Sequence, residues 1–392
     1  MKTLSILGST GSIGRSCLRV VEKFPDRFHV VGLAAGTNIA LLAEQIEKFQ
    51  PEVVSVSNHA SIEVLSHHLG SGPCRALPRI RAGPEGLLEV ATHPGTQMVV
   101  SAIVGIAGLM PTSQAIRCGK TVALANKEIL VVAGEPVMEA ARQHQVDILP
   151  IDSEHSAIHQ CLRSGRHEEL RRIILTASGG PFRDWPPSRL AEVTPEMALQ
   201  HPTWNMGHRV SIDSATLMNK GFEVLEAKWL FGIPVEHISV LIHPQSIVHS
   251  MVEFVDGSIM AQLGVTDMRH PIQYALSYPQ RIETPPPGLE LSKLQRLDFE
   301  EPDLEKFPCL ALAFHAAQQQ GGLPCAMNAA DEVAVEAFLR RKIRFMEIPQ
   351  IIKQVFDRHS RRQDLASIEM VLEFDQAVRK ETRRIIERDY TH

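Results

Sequence analysis

Along the first 150 residues, short apolar runs recur at intervals that leave room for one amphipathic helix between each run and the next. Leu4 to Leu7, Val30 to Ala34, Val53 to Val56, Met98 to Ala102, Thr121 to Ala125 and Asp147 to Ile151 predict strands. They are too short for helices and most are rich in β-branched residues. The segments between them carry apolar residues at three- and four-residue spacing. Strand and helix in alternation predict an α/β domain over 1–150, built on a doubly wound parallel sheet.

Beyond Pro150 the texture changes. Ile173 to Thr176, Ile238 to Ile242, Ile247 to Val255 and Ser258 to Leu263 predict a second sheet, in an α+β domain over 151–284. Asp256-Gly257 predicts a two-residue hairpin turn with both central residues at positive φ. His201 to Val210 reads as a polar and aromatic loop within this domain. The run Thr284-Pro285-Pro286-Pro287-Gly288 can continue neither a helix nor a central strand, and it opens a linker over 285–308. In 309–392, Cys309 to Gln320, Ala329 to Lys342, Ile348 to His359 and Ser367 to Asp389 have the spacing of helices in a small bundle.

Composition narrows the class. A chain of 392 residues exceeds what one core organises, so several domains are expected. A net charge of −5 and the lack of a long basic run argue against a nucleic-acid partner. No apolar stretch approaches the roughly 20 residues needed to cross a bilayer. The glycines that follow Leu7 make the N-terminal run a first strand rather than a signal-peptide core, so a cytoplasmic protein is expected. Six cysteines without C-x-x-C spacing suit free thiols in a reducing compartment.

Candidate chemistry begins at Gly8-Ser9-Thr10-Gly11-Ser12-Ile13-Gly14, between the first strand and a helix predicted to start near Ile13. Glycines there let the backbone approach a pyrophosphate, whose charge meets the helix N-terminus. The second strand ends Ala35-Gly36-Thr37-Asn38 without the carboxylate that would hold the ribose diol of NAD. No Arg or Lys stands there either, so a preference for NADP rests on neutral donors.

Asp152 and Glu154 follow the sixth predicted strand. If strand periodicity continues, both carboxylates point the same way and suit Mg²⁺ or Mn²⁺; a helix cap at Asp152 with Glu154 in the first turn is the bland alternative. His155 and His159 stand four apart, but without an H-E-x-x-H context they do not make a zinc site. Ser211 to Glu223 gathers hydroxyls, Asn219 and Lys220 ahead of an apolar-periodic helix, as a phosphate cup would, with Glu223 as a further metal ligand or a capping carboxylate. Ser178-Gly179-Gly180 is a second place where hydroxyl and backbone donors could meet a phosphate. Trp204 and Met206 lie in a segment without hydrophobic period and read as a lid. Asn126-Lys127-Glu128 follows a strand at the sheet edge where such folds bind ligands. These residues alone leave open a metal-assisted dehydrogenase with no isomerase step, and a dinucleotide-sensing regulator.

In order and spacing, LGSTGSIG, ALANKE, IDSEHSAI, ASGGPF, HPTWNMG, SIDSATLMNKGFE, LIHPQSIVHSMVE and NAADEVAV resemble the 1-deoxy-D-xylulose 5-phosphate reductoisomerase family. The resemblance runs from Lys2 to about Ile343. It implies a homodimer with a Rossmann-like first domain, a catalytic second domain and a helical third. It further implies conversion of 1-deoxy-D-xylulose 5-phosphate to 2-C-methyl-D-erythritol 4-phosphate in non-mevalonate isoprenoid synthesis. Carried onto this chain, Asp152, Glu154 and Glu223 would ligate the metal, and Ser153, Glu154 and Lys127 would touch substrate. Ser178, His201, Ser214, Asn219 and Lys220 would hold its phosphate. NADPH would lie on Thr10, Gly11, Ser12, Ile13, Gly36, Thr37, Asn38, Asn126, Glu128 and Gly207. The family often has Lys or Arg where this chain has Thr37. The family's rearrangement is thought to proceed by retro-aldol cleavage and re-addition, followed by reduction of the aldehyde.

Overall fold

The computed structural model describes residues 1–70, 77–204, 206–283, 288–319, 321–359 and 363–390. Its strands are β1 Lys2–Leu7, β2 Phe28–Ala34, β3 Val53–Val56, β4 Arg79–Ala82, β5 Met98–Ser101, β6 Thr121–Leu124, β7 Ile148–Pro150, β8 Leu170–Ala177, β9 Ile238–Ile242, β10 Val248–Phe254 and β11 Ile259–Leu263. The helices α1 Ser12–Lys23, α2 Ile39–Phe49, α3 His59–Leu69, α4 Gly83–Thr92, α5 Leu109–Arg117, α6 Glu128–Gln143 and α7 Ser153–Cys161 alternate with the first strands. After them come α8 Pro195–Ala198, α9 His208–Ala215, α10 Met218–Phe231, α11 Arg269–Ser277, α12 Pro308–Gln319, α13 Leu323–Leu339, α14 Glu347–Arg358 and α15 Ile368–Asp389. The chain folds as two compact units.

The first unit takes in 1–129, 137–156 and 267–285. Its seven strands form one parallel sheet in the order β4-β3-β2-β1-β5-β6-β7. All six predicted strands are in it. The seventh, β4, is an edge strand of sequence Arg-Ile-Arg-Ala, partly exposed along its length, and so carries none of the apolar density by which the others are legible. The sheet core is packed by Leu4, Ile6, Leu33, Val54, Val100, Ala123 and Leu149. Helix α11, which sequence segmentation groups with the central domain, fills this same core through Ile272, Ala275 and Leu276. Lys2 Nζ ties the end of that helix to β1 by donating to the Leu276 carbonyl at 2.7 Å.

The second unit takes in 130–136, 157–266 and 286–392. All four strands predicted beyond Pro150 form its sheet, ordered β11-β10-β8-β9, with β8 parallel to β9 and antiparallel to β10. The hairpin between β10 and β11 departs from expectation. Gly257 alone has positive φ, at 84°, and its N–H donates to Phe254 O at 2.9 Å, so the loop is longer than two residues. The Asp256 carboxylate accepts from the N–H and hydroxyl of Ser258, which leaves it no need of a left-handed conformation.

The C-terminal helices are present as predicted, except that α13 begins at Leu323, six residues before the expected Ala329. They do not bury a core of their own. Ile173, Leu175, Val240 and Val252 of the sheet belong to one apolar cluster with Phe222 and Leu225 of α10, Ala313 of α12, Ala330 of α13 and Ile351 of α14. Small residues permit this packing: a Cβ on Gly221 would lie 2.4 Å from the Cβ of Ala313, so α10 and α12 touch nearly backbone to backbone. The expected linker run at 284–287 lies outside the described residues. Five cysteines are free thiols, and Cys74 lies outside the described residues.

Candidate active site

The carboxyl edge of the parallel sheet collects the candidate residues of the first unit in strand order. Gly36 to Asn38 follow β2, Gly8 to Gly14 follow β1, Asn126 to Glu128 follow β6 and Asp152 to Glu154 follow β7. From β1 to β7 is three strand spacings, about 14 Å. That is the edge at which doubly wound sheets bind ligands.

The Gly-rich turn leaves no room for side chains. Gly8 has φ 88°, and a Cβ on it would stand 2.6 Å from the Ala102 carbonyl oxygen; one on Gly14 would stand 2.3 Å from that of Gly8. The Gly8 and Ser9 N–H groups donate to Ala34 O at 2.9 Å, which fixes the turn to the neighbouring strand. Gln45 of α2 adds a buried bond from Nε2 to the Ser9 carbonyl at 3.0 Å. Helix α1 starts at Ser12 with Gly11 as its cap and no side-chain bond there, so the first N–H groups of Ser12 and Ile13 face the turn side. Thr10 lies within the same turn.

Asn38 caps α2 by accepting the Leu41 N–H at 3.2 Å, so part of its hydrogen-bonding capacity is structural. Gly36 has open space where a side chain would be. Thr37 donates no charge to this edge. Asn126 is buried, and its Nδ2 donates to the carbonyls of Ile103 and Gly105. Its Oδ1 has no partner, which leaves one buried acceptor at the edge. Glu128 begins α6 and is buried.

Strand β7 ends at Pro150 and α7 begins at Ser153, so Asp152 and Glu154 sit at a helix start and not on a continued strand. The two-residue periodicity expected for them is therefore absent. They converge all the same: an oxygen of each lies within 4.8 Å of the other. Lys127 Nζ forms an ion pair with Asp152, both side chains being largely enclosed. Ser153 Oγ donates to Glu154. His155 is fully buried with a ring nitrogen within 4.8 Å of Asp152, a neighbour that sequence reasoning set aside. Hard oxygen donors this close, one of them already paired with an ammonium, fit a divalent cation such as Mg²⁺.

In the second unit, the polar segment expected ahead of a helix is itself helical. Ser211 and Ser214 lie on α9, and Asn219 and Lys220 lie in the first turn of α10. The break between them is Leu217, a non-glycine residue at φ 62°. Glu223 lies beyond the first turn of α10, which removes the capping alternative; it accepts from Asn219 Nδ2 at 2.7 Å and pairs with Lys220. Lys220 and Glu223 are both nearly inaccessible. Glu226, one turn further on the same face, is fully buried and was missed in the sequence; a second acid three residues on in an apolar helix was the available signal.

Ser178 and Ser214 are brought to one place by glycine. Gly179 and Gly180 have φ of 86° and 71°, and a Cβ on Gly180 would lie 2.6 Å from the Ser214 carbonyl oxygen. His201 joins them, with Nε2 3.0 Å from Ser178 Oγ. Its Nδ1 accepts the N–H groups of Thr203 at 3.2 Å and Trp204 at 2.9 Å, so the proton is on Nε2 and the ring is neutral. Burial holds its pKa below the ordinary histidine value, which favours that form. Met206 is half-buried, as is Trp204, whereas Asn205 lies outside the described residues. Gly207 is the cap of α9, so the predicted loop ends three residues earlier than Val210.

Comparison with known proteins gives one consistent result. The family model "1-deoxy-D-xylulose 5-phosphate reductoisomerase" matches residues 4–134, and two C-terminal domain models of the same enzyme match 148–231 and 263–381. A reductoisomerase of that name from Prosthecochloris aestuarii is 55% identical over 359 residues, covering 92% of this chain and 93% of its own. One from Synechococcus sp. is 51% identical over 385 residues, covering 98% and 97%. Among solved structures, the Zymomonas mobilis reductoisomerase in complex with NADPH has a TM-score of 0.91 at 44% identity, covering 99% of both chains. A DOX-P reductoisomerase in complex with NADPH, fosmidomycin and magnesium has a TM-score of 0.94 at 40% identity, covering 99% of this chain and 98% of that one.

Proposed function

The chain belongs to the 1-deoxy-D-xylulose 5-phosphate reductoisomerase family, and on that premise we propose that Asp152, Glu154 and Glu223 hold the divalent cation of its reaction. That reaction is the NADPH- and divalent-metal-dependent conversion of 1-deoxy-D-xylulose 5-phosphate to 2-C-methyl-D-erythritol 4-phosphate. The observation that carries the residue assignment is the convergence of Asp152 and Glu154, with Lys127 against Asp152, on the sheet edge that also bears the glycine turn.

When bound, the cation supplies Lewis-acid polarisation of the substrate's carbonyl and hydroxyl oxygens, and the reduced nicotinamide supplies hydride. Lys127 places an ammonium beside the same oxygens. Ser153 orients Glu154 and hydrogen-bonds substrate. Ser178, His201, Ser214, Asn219 and Lys220 hold the phosphate, whose binding energy positions the distant reacting carbons. Neutral His201 serves as a donor there through Nε2.

NADPH lies on Thr10, Gly11, Ser12, Ile13, Gly36, Thr37, Asn38, Asn126, Glu128 and Gly207. Asn126 can offer it only Oδ1, since Nδ2 is committed to Ile103 and Gly105. Thr37 gives the adenosine end a neutral hydroxyl where relatives often carry a cation. Trp204 and Met206 form a lid that excludes water on closure.

The remaining assignments have other support. Either Mg²⁺ or Mn²⁺ suits three carboxylates. The free buried thiols Cys17, Cys161, Cys309 and Cys325 suit the cytoplasm, where the product enters non-mevalonate isoprenoid synthesis. A homodimer would cover β11, an edge strand that exposes Ile259, Met260 and Leu263. The test is nicotinamide absorbance with 1-deoxy-D-xylulose 5-phosphate present. Oxidation of NADPH that requires Mg²⁺ or Mn²⁺ and stops with chelator supports the assignment, and oxidation indifferent to chelator overturns it.

A further inference from the structure

The loop of the lid returns to the fold at Gly207, and two residues later Arg209 enters the protein. Its guanidinium is almost wholly enclosed. Nη1 donates to Glu332 Oε2 at 2.8 Å, and Nη2 donates to Asn328 Oδ1 at 2.8 Å and to Asp331 Oδ2 at 3.4 Å. Nε lies 3.5 Å from Asp213, one turn along its own helix. The guanidinium also stands 5.7 Å from the ring centre of Phe222, the residue before Glu223 on α10. Glu332 is shared: both of its oxygens meet Arg379 of α15 at 2.9 Å, and Arg379 in turn bonds Asp375 at 2.5 Å.

One side chain thus fixes α9 to α10, α13 and, through Glu332, α15. Of these helices, α9 and α10 bear Ser214, Asn219, Lys220 and Glu223, and α9 is the stem on which the lid is mounted. We propose that Arg209 is a positioning residue for the reaction, the clasp by which the C-terminal helices hold the lid stem and the phosphate-binding helices in working register. The chemistry of the group suits the task. A planar fork with five donors can meet acceptors on two helices at once without rotating, which a lysine ammonium cannot do. Apolar contacts would hold α9 against α13 too, but they would not fix its rotation; a fork bonded to Asn328, Asp331 and Glu332 does.

A residue assigned to neither substrate nor cofactor acts on turnover by misplacing groups rather than by removing one. Substrate affinity and rate should therefore change far more than cofactor affinity, because, of the residues assigned to NADPH, only Gly207, the cap of α9, belongs to this unit. The assignment rests on the reaction proposed above only for its kinetic consequence. The clasp itself can be read without substrate.

The experiment compares Arg209→Met, Arg209→Lys and Glu332→Gln with the unaltered chain by amide hydrogen exchange and by steady-state kinetics. Exchange in Ser211 to Ala215 of the free protein should quicken at least tenfold in Arg209→Met and less in Arg209→Lys. The KM for 1-deoxy-D-xylulose 5-phosphate should rise about tenfold in Glu332→Gln, with the Kd for NADPH changed by less than about threefold. Unaltered exchange in α9 overturns the clasp whatever reaction the protein performs. So does a loss of thermal stability with KM and kcat intact, or an equal loss of NADPH binding, either of which makes Arg209 a packing residue only. An unaltered chain that leaves the sugar phosphate untouched removes the functional reading instead, and the exchange data still decide the clasp.

Discussion

His201 Nε2 stands 3.0 Å from Ser178 Oγ while the opposite ring nitrogen accepts two backbone N–H groups of the lid. One imidazole therefore serves the phosphate site and the first turn of the lid together, and it can do so only when neutral. A proton on Nδ1 would turn an acceptor into a donor facing the Thr203 and Trp204 N–H groups. Burial depresses this pKa, so the neutral ring stabilises the arrangement above the ordinary histidine value, and that contribution is lost as pH falls through the depressed one. The expected result is a fall in kcat/KM on the acid side. In His201→Gln that limb should shrink and KM should rise about tenfold, the equivalent of one lost hydrogen bond of about 1.4 kcal/mol. A pH profile superimposable on that of the unaltered chain would remove the ring from the lid's control.

The glycine turn offers a matched pair of substitutions. Gly14→Ala puts a methyl group 2.3 Å from the Gly8 oxygen and 2.5 Å from the Ser9 Cα, both of them backbone. The turn must move, at a cost of about 1–3 kcal/mol or more, and NADPH binding should weaken at least tenfold. Gly36→Ala meets nothing within 4 Å, so its thermal stability should be unchanged and any loss of NADPH affinity reports the cofactor itself. Calorimetric titration with NADPH and a melting curve for each variant decide the matter.

Asp152→Asn and Glu223→Gln keep shape and remove charge. Each should lower kcat at least about a hundredfold, since polarisation by a bound cation is worth several kcal/mol. NADPH binding should remain. An unchanged rate and an unchanged metal requirement in either variant would strike that residue from the ligand set.

The buried acids around Arg209 make stability depend on pH. Asp331 is fully buried, and loss of solvation raises its pKa to about 6. Arg209 and Asp213 face it from α9, Glu332 from its own helix, and the Cys309 thiol from α12, with Asp375 and Arg379 of α15 beyond Glu332. A raised acid favours the fold when protonated, so its contribution is complete below the ordinary aspartate value and is lost as pH rises through about 6. Asp331→Asn keeps an acceptor for Arg209 and cannot ionise. Relative to the unaltered chain its stability should gain about 1.4 kcal/mol from pH 5 to pH 8, the part of the shift that falls in that window. Parallel melting curves at both pH values would contradict this.

Much of the fold could be read from the chain because burial on both sides of a parallel sheet writes itself as short apolar runs. What escaped the reading had physical reasons. Strand β4 has no apolar run because it is an edge. Helix α9 shows no apolar period because Ser211, Asp213 and Ser214 are polar, yet all three are buried against partners that only the tertiary fold supplies. The start of α13 was marked by Gly322 and Pro324, which sit at its cap and first turn, but its alanine-rich opening lacks a clear period. Among the site residues, the motif positions were legible one by one. The Arg209 clasp was not, although an arginine four residues before an aspartate and an Asp331-Glu332 pair in an apolar helix were its traces.

The measurement that tests the central claim most directly is the carbon connectivity of the product. The unaltered chain is incubated with ¹³C-labelled 1-deoxy-D-xylulose 5-phosphate, NADPH and Mg²⁺, and the product is examined by NMR. A branched skeleton, with the bond between the two secondary hydroxyl-bearing carbons broken and the methyl-bearing carbon newly joined to the carbon next to the phosphate-bearing one, is the result predicted for a reductoisomerase. An unbranched polyol phosphate formed with the same NADPH consumption would contradict it and make this chain a simple metal-assisted dehydrogenase.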